Sequence, residues 1–179
     1  MTPKFMSRTV LALAISAAAG YSFAIPVEPP AAPVSFGAET VDGFTLTGSA
    51  SVTEDIVDLE GTTVNGDINL EGDFTATGDH VSGVDMDGLD SAAMIMNGNV
   101  TNFGNLNLNG LAATGILADH IALNGSIINN GQIIVAGDYD SEISEAAGGV
   151  VILGTSALGD IRNDGIISVT GNQGDGCAQ

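Results

Sequence analysis

The residues able to do chemistry are mostly acids. Asp138, Asp140, Glu142 and Glu145 fall in GDYDSEISE, and Asp85, Asp87 and Asp90 fall in GVDMDGLDS. Calcium takes six to eight oxygen ligands, and alternate acids on an extended chain present carboxylates to one side. The first cluster is therefore the candidate calcium site, with solvated loop as the alternative. Neither cluster follows the twelve-residue helix–loop–helix calcium pattern, because Gly88 comes too early and no glutamate follows in register. His80 and His120 each stand in Asp-His-[Val/Ile]. With Asp79 and Asp119 they suggest a shared metal site, against two exposed turns, although no cysteine or third histidine joins them. Cys177 is the single cysteine, so no intrachain disulfide can form.

A twelve-residue phrase must position these groups. It occurs as NVTNFGNLNLNG (99–110), SIINNGQIIVAG (126–137) and DIRNDGIISVTG (160–171). Its second half, x-apolar-x-apolar-x-Gly, recurs from GFTLTG (43–48) to IISVTG (166–171). Apolar residues two apart share one face of a strand. Phe44/Leu46, Ile68/Leu70, Leu106/Leu108, Ile121/Leu123, Ile133/Val135 and Ile167/Val169 are thus predicted to face a core. Asn102, Asn129 and Asn163 recur in an Asn-x-Gly turn. Asparagine tolerates left-handed backbone angles, and its amide can bond to the same amide one turn away. A good turn without a ladder would explain the pattern as well. The expected fold is all-β: a right-handed parallel β-helix of about six coils, each a pair of hexads spanning roughly 17–27 residues.

Lys4 and Arg8 precede the apolar run Val10–Ala19, and Ser22-Phe23-Ala24 offers a cleavage site. This reads as a secretory signal over 1–24, since a membrane span needs about 20 apolar residues. Four of the five prolines lie in 25–36, so 25–39 reads as an extended linker. Residues 40–171 form the β-helix and 172–179 a tail. Helical spacing is hinted at only in Ser141–Ala147, which reads equally well as a loop.

With the signal removed, 22 acids face one base, Arg162, for a net charge of 1 − 22 = −21. Nucleic acid and anionic membrane are poor partners for such a chain, since both require Lys or Arg to displace counterions. A polysaccharide-cleaving enzyme would need paired carboxylates or a base. Asp85/Asp87 and Asp138/Asp140 offer carboxylates, but only Arg162 offers a base, and sugar-stacking aromatics are scarce. Catalytic residues are not assigned. In the later repeats the outward positions turn apolar (Ile134, Ala136, Val151, Leu153, Ile166), which points to a covered face or to self-association.

The N-x-G…[LI]-x-[LV]-x-G repeats behind a signal peptide resemble the β-helix passenger domains of bacterial autotransporters over roughly 40–171. That resemblance implies a rod at the cell surface or outer membrane that binds a glycan or protein there, with periplasmic residence as a variant. An autotransporter also carries a C-terminal membrane barrel, and only eight residues follow the last hexad here. The expected role is a non-enzymatic adhesin-like module needing no cofactor other than, in the cluster above, calcium. The alternatives are a polysaccharide-acting enzyme and a self-assembling extracellular structural protein.

Cleavage after Ala24 makes a direct prediction. N-terminal sequencing of the exported chain should begin at Ile25, and intact Met1 in the membrane fraction would contradict it.

Overall fold

The computed structural model describes residues 31–88, 94–142 and 145–171. The expected signal over 1–24, the first part of the expected linker (25–30), Asp90, Cys177 and the expected tail over 172–179 lie outside these residues. Among those described there is no helix; every element is a short strand.

In chain order, the first turn holds β1 (Val34–Gly37), β2 (Thr40–Leu46) and β3 (Ser49–Val52). The second holds β4 (Val57–Glu60), β5 (Thr63–Leu70) and β6 (Asp73–Thr77). The third holds β7 (Ser82–Asp87), β8 (Met94–Asn97), β9 (Val100–Asn102) and β10 (Asn105–Asn109). The fourth holds β11 (Thr114–Asp119), β12 (Ile121–Leu123), β13 (Ile127–Asn129) and β14 (Gln132–Ala136). The last described turn holds β15 (Gly148–Leu153), β16 (Ser156–Ala157), β17 (Ile161–Asn163) and β18 (Ile166–Thr170).

Every pairing between these strands is parallel, and each strand pairs with its counterpart one turn away. One sheet runs β1-β4-β7-β11-β15 and a second runs β3-β6-β10-β14-β18. Between them an eight-stranded sheet carries β2 and β5, each continuous across a corner where later turns break into two strands.

The register corrects the hexad-pair arithmetic. Val34 pairs with Val57, 23 residues on, whereas Ile133 pairs with Ile167, 34 residues on. Each turn visits three sheets, so it uses more chain than two hexads supply. The array also begins earlier than residue 40. Val34–Gly37, read from sequence as linker, pairs with β4 because the chain after Pro33 regains its N–H donors.

The inward positions behave as the period-2 pattern predicts. Leu46, Ile68, Leu70, Leu106, Leu108, Ile121, Leu123, Ile133 and Val135 are all buried in one continuous column. Burying such a side chain contributes about 1.5–3 kcal/mol, so the column supplies most of the drive to fold. Phe36 and Phe44 meet at 5.7 Å between ring centroids and pack against the first turn of that column. Ile167 is only half-buried and Val169 is exposed, because no described turn lies over them.

The asparagines do form a ladder. Asn102 Nδ2 donates to Asn129 Oδ1 at 2.8 Å, and Asn129 Nδ2 donates to Asn163 Oδ1 at 2.7 Å. Asn102 and Asn129 are buried, so these bonds satisfy polar groups that would otherwise be orphaned. A second, exposed ladder runs from Asn124 through Asn97 to Asn65.

Beside the buried ladder stands a glycine column: Gly48, Gly72, Gly104, Gly131 and Gly165. A Cβ on Gly104 would overlap the carbonyl oxygen of Gly72, and one on Gly131 that of Gly104. Gly104→Ala must therefore push adjacent turns apart, and should cost about 3 kcal/mol or more. Gly37→Ala meets nothing within 4 Å and should change stability by about 0.5 kcal/mol or less. Urea denaturation of both variants checks the contrast.

Candidate functional site

The strongest electrostatic feature is on the outer face of the β1-β4-β7-β11-β15 sheet. The segments VDLEG (57–61) and VDMDG (84–88) say the same thing twice, and the register stacks them residue on residue. Asp58 pairs with Asp85, and Glu60 with Asp87, which in turn pairs with Asp119. Strands in a sheet lie about 4.8 Å apart, so like charges are forced close together.

Asp85 bears most of the consequence. Burial pushes its carboxyl up to about 7, and the charges of Asp55, Asp58, Asp87 and Asp119 push the same way. Its Oδ1 is buried and has no hydrogen-bond partner among the described residues. Asp87 is raised by burial and by Asp119 and Glu60, with His120 opposing. Asp55 is raised by burial although it accepts a 2.6 Å hydrogen bond from the Ser82 N–H. Sequence reasoning finds Asp85 and Asp87 but misses Asp55 and Asp58. The repeated V-D-[LM]-[ED]-G phrase is the signal that could have found Asp58.

The calcium candidates are arranged differently from a shared cage. Asp140 and Glu145 face each other in an antiparallel bridge, and each sends its backbone N–H to the other's carbonyl. Of 141–147, the described residues 141–142 and 145–147 form a turn and this bridge, the loop that the sequence offers as the alternative to a helical turn. Asp140 Oδ1 accepts the Glu142 N–H at 2.8 Å, and the Asp138 carbonyl accepts the Ala112 N–H. The carboxylates of Asp140 and Glu145 turn toward His80, with Asp140 Oδ2 3.1 Å from Nε2 and Glu145 Oε2 3.8 Å from Nδ1. Among the described residues no group of three or more His, Cys, Asp or Glu is placed to hold a metal ion.

His80 and His120 are not brought together. His80 sits at the turn into β7 and His120 at the turn out of β11, a strand length of roughly 20 Å apart along the sheet. Both have positive φ, 60° and 51°, as corner residues do. His120 Nδ1 lies against Asp119 Oδ1, and Asp79 Oδ1 accepts the Leu111 N–H.

The segment after Asp138 also covers some of the apolar outer face. Glu145, Ala146 and Ala147 line a cavity of about 340 Å3 over Leu117, Val151 and Leu153, with His80 and Asp119 at its margins. Leu153 remains exposed even so.

No family model, curated protein or solved structure matches this chain.

The raised carboxyls predict an unusual pH dependence. Asp85 holds its proton more tightly folded than unfolded, so the folded state binds more protons between about pH 4 and 7. Stability should therefore fall as pH rises through that window and stay low above it. Asp85→Asn should stabilise the protein by about 2–4 kcal/mol at pH 8 and by little at pH 4. Urea denaturation at both pH values checks this; an unchanged difference between wild type and variant would contradict it.

Proposed function

We propose that this chain is an exported, acidic, right-handed parallel β-helix, five turns deep in the described residues, that serves as a non-enzymatic adhesion or structural module at a cell surface. The observation that carries this reading is the in-register stack. Identical outward groups, such as Asn65, Asn97 and Asn124, repeat on successive turns along one edge. A periodic row of amides and carboxylates suits many weak contacts with a surface glycan or protein, which gain avidity together. The autotransporter-like repeats and the signal segment support the same reading, as does a charge that disfavours nucleic acid.

Antibody labelling of intact producing cells, together with adherence to immobilised glycans and to host-type surface proteins, tests it. Labelled intact cells that lose adherence when the gene is removed are expected. Protein confined to the cytoplasm would end the proposal.

One observation favours a polysaccharide-acting enzyme as the second reading. Asp85, its carboxyl pushed up to about 7, stands beside Asp58 and Asp87, and glycoside hydrolysis uses a raised carboxyl as general acid beside a second carboxyl group. Incubation with neutral and acidic polysaccharides should release no new reducing ends if the module is purely adhesive. Release that disappears in Asp85→Asn would favour the enzyme.

A further inference from the structure

On the outer face of the β1-β4-β7-β11-β15 sheet two columns change character partway along. One reads Asp58, Asp85, Leu117, Val151, and the next reads Glu60, Asp87, Asp119, Leu153. Acid gives way to hydrocarbon in both. Asp119 stands at the boundary, with Asp87 on one side of it and Leu153 on the other.

The segment over the apolar part is pinned. Asp140 and Glu145 exchange backbone N–H···O bonds of 2.8 and 3.2 Å, and the Gly148 N–H donates to the Ala113 carbonyl at 3.0 Å. His80 adds its contacts to both carboxylates, 3.1 Å to Asp140 and 3.8 Å to Glu145. A pinned segment that only covered its floor would close onto it, because folded interiors leave few voids larger than a water molecule. Here it stands off. Ala146 and Ala147 bound a cavity of about 340 Å3 over Leu117, Val151 and Leu153, at the lower end of the sizes of small-molecule sites. At about 30 Å3 per water-sized group it has room for roughly ten.

The lining selects the occupant by charge. Asp119 and Glu145 are acids, and the one basic side chain among the described lining residues, His80, already faces Asp140 and Glu145. Anionic amphiphiles are therefore repelled. No Phe, Tyr or Trp stands among the described lining residues, so a planar ligand finds no such ring to stack on. A hydrocarbon body with a positive charge satisfies both halves of the lining. Asp119 is its best partner. The Asp119 side chain is 29% exposed and sits on a strand, and Asp87 one turn away adds a second negative charge. Partial burial strengthens attraction between opposite charges. His120 contacts Oδ1, which leaves Oδ2 to a ligand.

We infer that this cavity binds a small organic cation, a primary ammonium on a flexible hydrocarbon body. Its nitrogen donates to Asp119 Oδ2, and its chain lies over Leu117, Val151 and Leu153 beneath Ala146 and Ala147. The site is independent of whether the rod adheres to a surface.

Isothermal titration calorimetry, with ligand-observed NMR as a second readout, tests it on the whole chain as recovered from producing cells. The probes are hexylammonium, methylammonium, hexan-1-ol and hexanoate, in about 0.15 M salt so that loose attraction to the acidic chain is screened. Hexylammonium should bind at one site. Methylammonium, without the hydrocarbon body, should bind about 30-fold more weakly or worse. Hexan-1-ol should be about tenfold weaker, since it forms no charge-assisted bond, and hexanoate should not bind. Asp119→Asn should lower hexylammonium to the affinity of the alcohol and leave the alcohol unchanged. Leu117→Lys sets an ammonium of the chain's own in the cavity, opposite Asp85 in register, and should abolish binding of both. Glu71→Gln, which removes one exposed charge on a distant turn, should change neither. All three side chains lie outside the buried column, so circular dichroism should report unchanged folding. Hexylammonium that binds no better than methylammonium, or that binds Asp119→Asn as tightly as wild type, would overturn the inference. So would the absence of binding by both readouts.

Discussion

Adjacent turns lie about 4.8 Å apart because backbone hydrogen bonds join them, and almost everything else in this protein is a response to that spacing. At so short a distance a residue's nearest neighbours are its own counterparts one turn away. Aliphatic side chains stack well on aliphatic side chains, so the column of Leu70, Leu106, Ile133 and their relatives packs tightly with few aromatic rings. Corners must be tighter still. At Gly104 and Gly131 the backbones of successive turns approach so closely that a methyl group has no room.

The same like-on-like rule sorts polar residues into those that gain from repetition and those that are strained by it. An amide is both donor and acceptor, so Asn102, Asn129 and Asn163 satisfy one another in series, even in a buried corner. A carboxylate only accepts, and stacking Asp58, Asp85, Asp87, Glu60 and Asp119 concentrates negative charge with nothing to share. The face answers by raising the proton affinity of its most buried member, Asp85. Neutrality at that position costs less than a further charge at low dielectric. The Asp85 column switches to Leu117 at β11 and Val151 at β15, the Asp87–Asp119 column to Leu153 at β15, and there the repulsion ends.

Repetition has no internal stopping rule, so ends need separate solutions. Phe36 and Phe44, two of the six phenylalanines in the chain, lie where the first described turn has no preceding turn to rest on. A ring fills more space than an aliphatic side chain and can shield a column end from water. The last described turn has leucine, isoleucine and valine at the corresponding boundary and leaves them in solvent. Among the described residues, the first and last turns therefore differ in what lines the column.

The sequence by itself determined which side chains face inward, because a strand alternates its faces with period two whatever lies around it. Leu106, Leu108, Ile133 and Val135 were legible for that reason, and so was the Asn-x-Gly turn. Register was not legible. Partners in the stack lie 23 to 34 residues apart, since loops of unequal length join strands of equal spacing, and no fixed period can be read from such a chain. Only the tertiary structure therefore decided that Asp58 lies on Asp85, that Asp140 and Glu145 turn to His80, and that the two histidines occupy opposite ends of a sheet. Local geometry is written in neighbouring residues, whereas these meetings depend on how much chain each turn consumes before it returns.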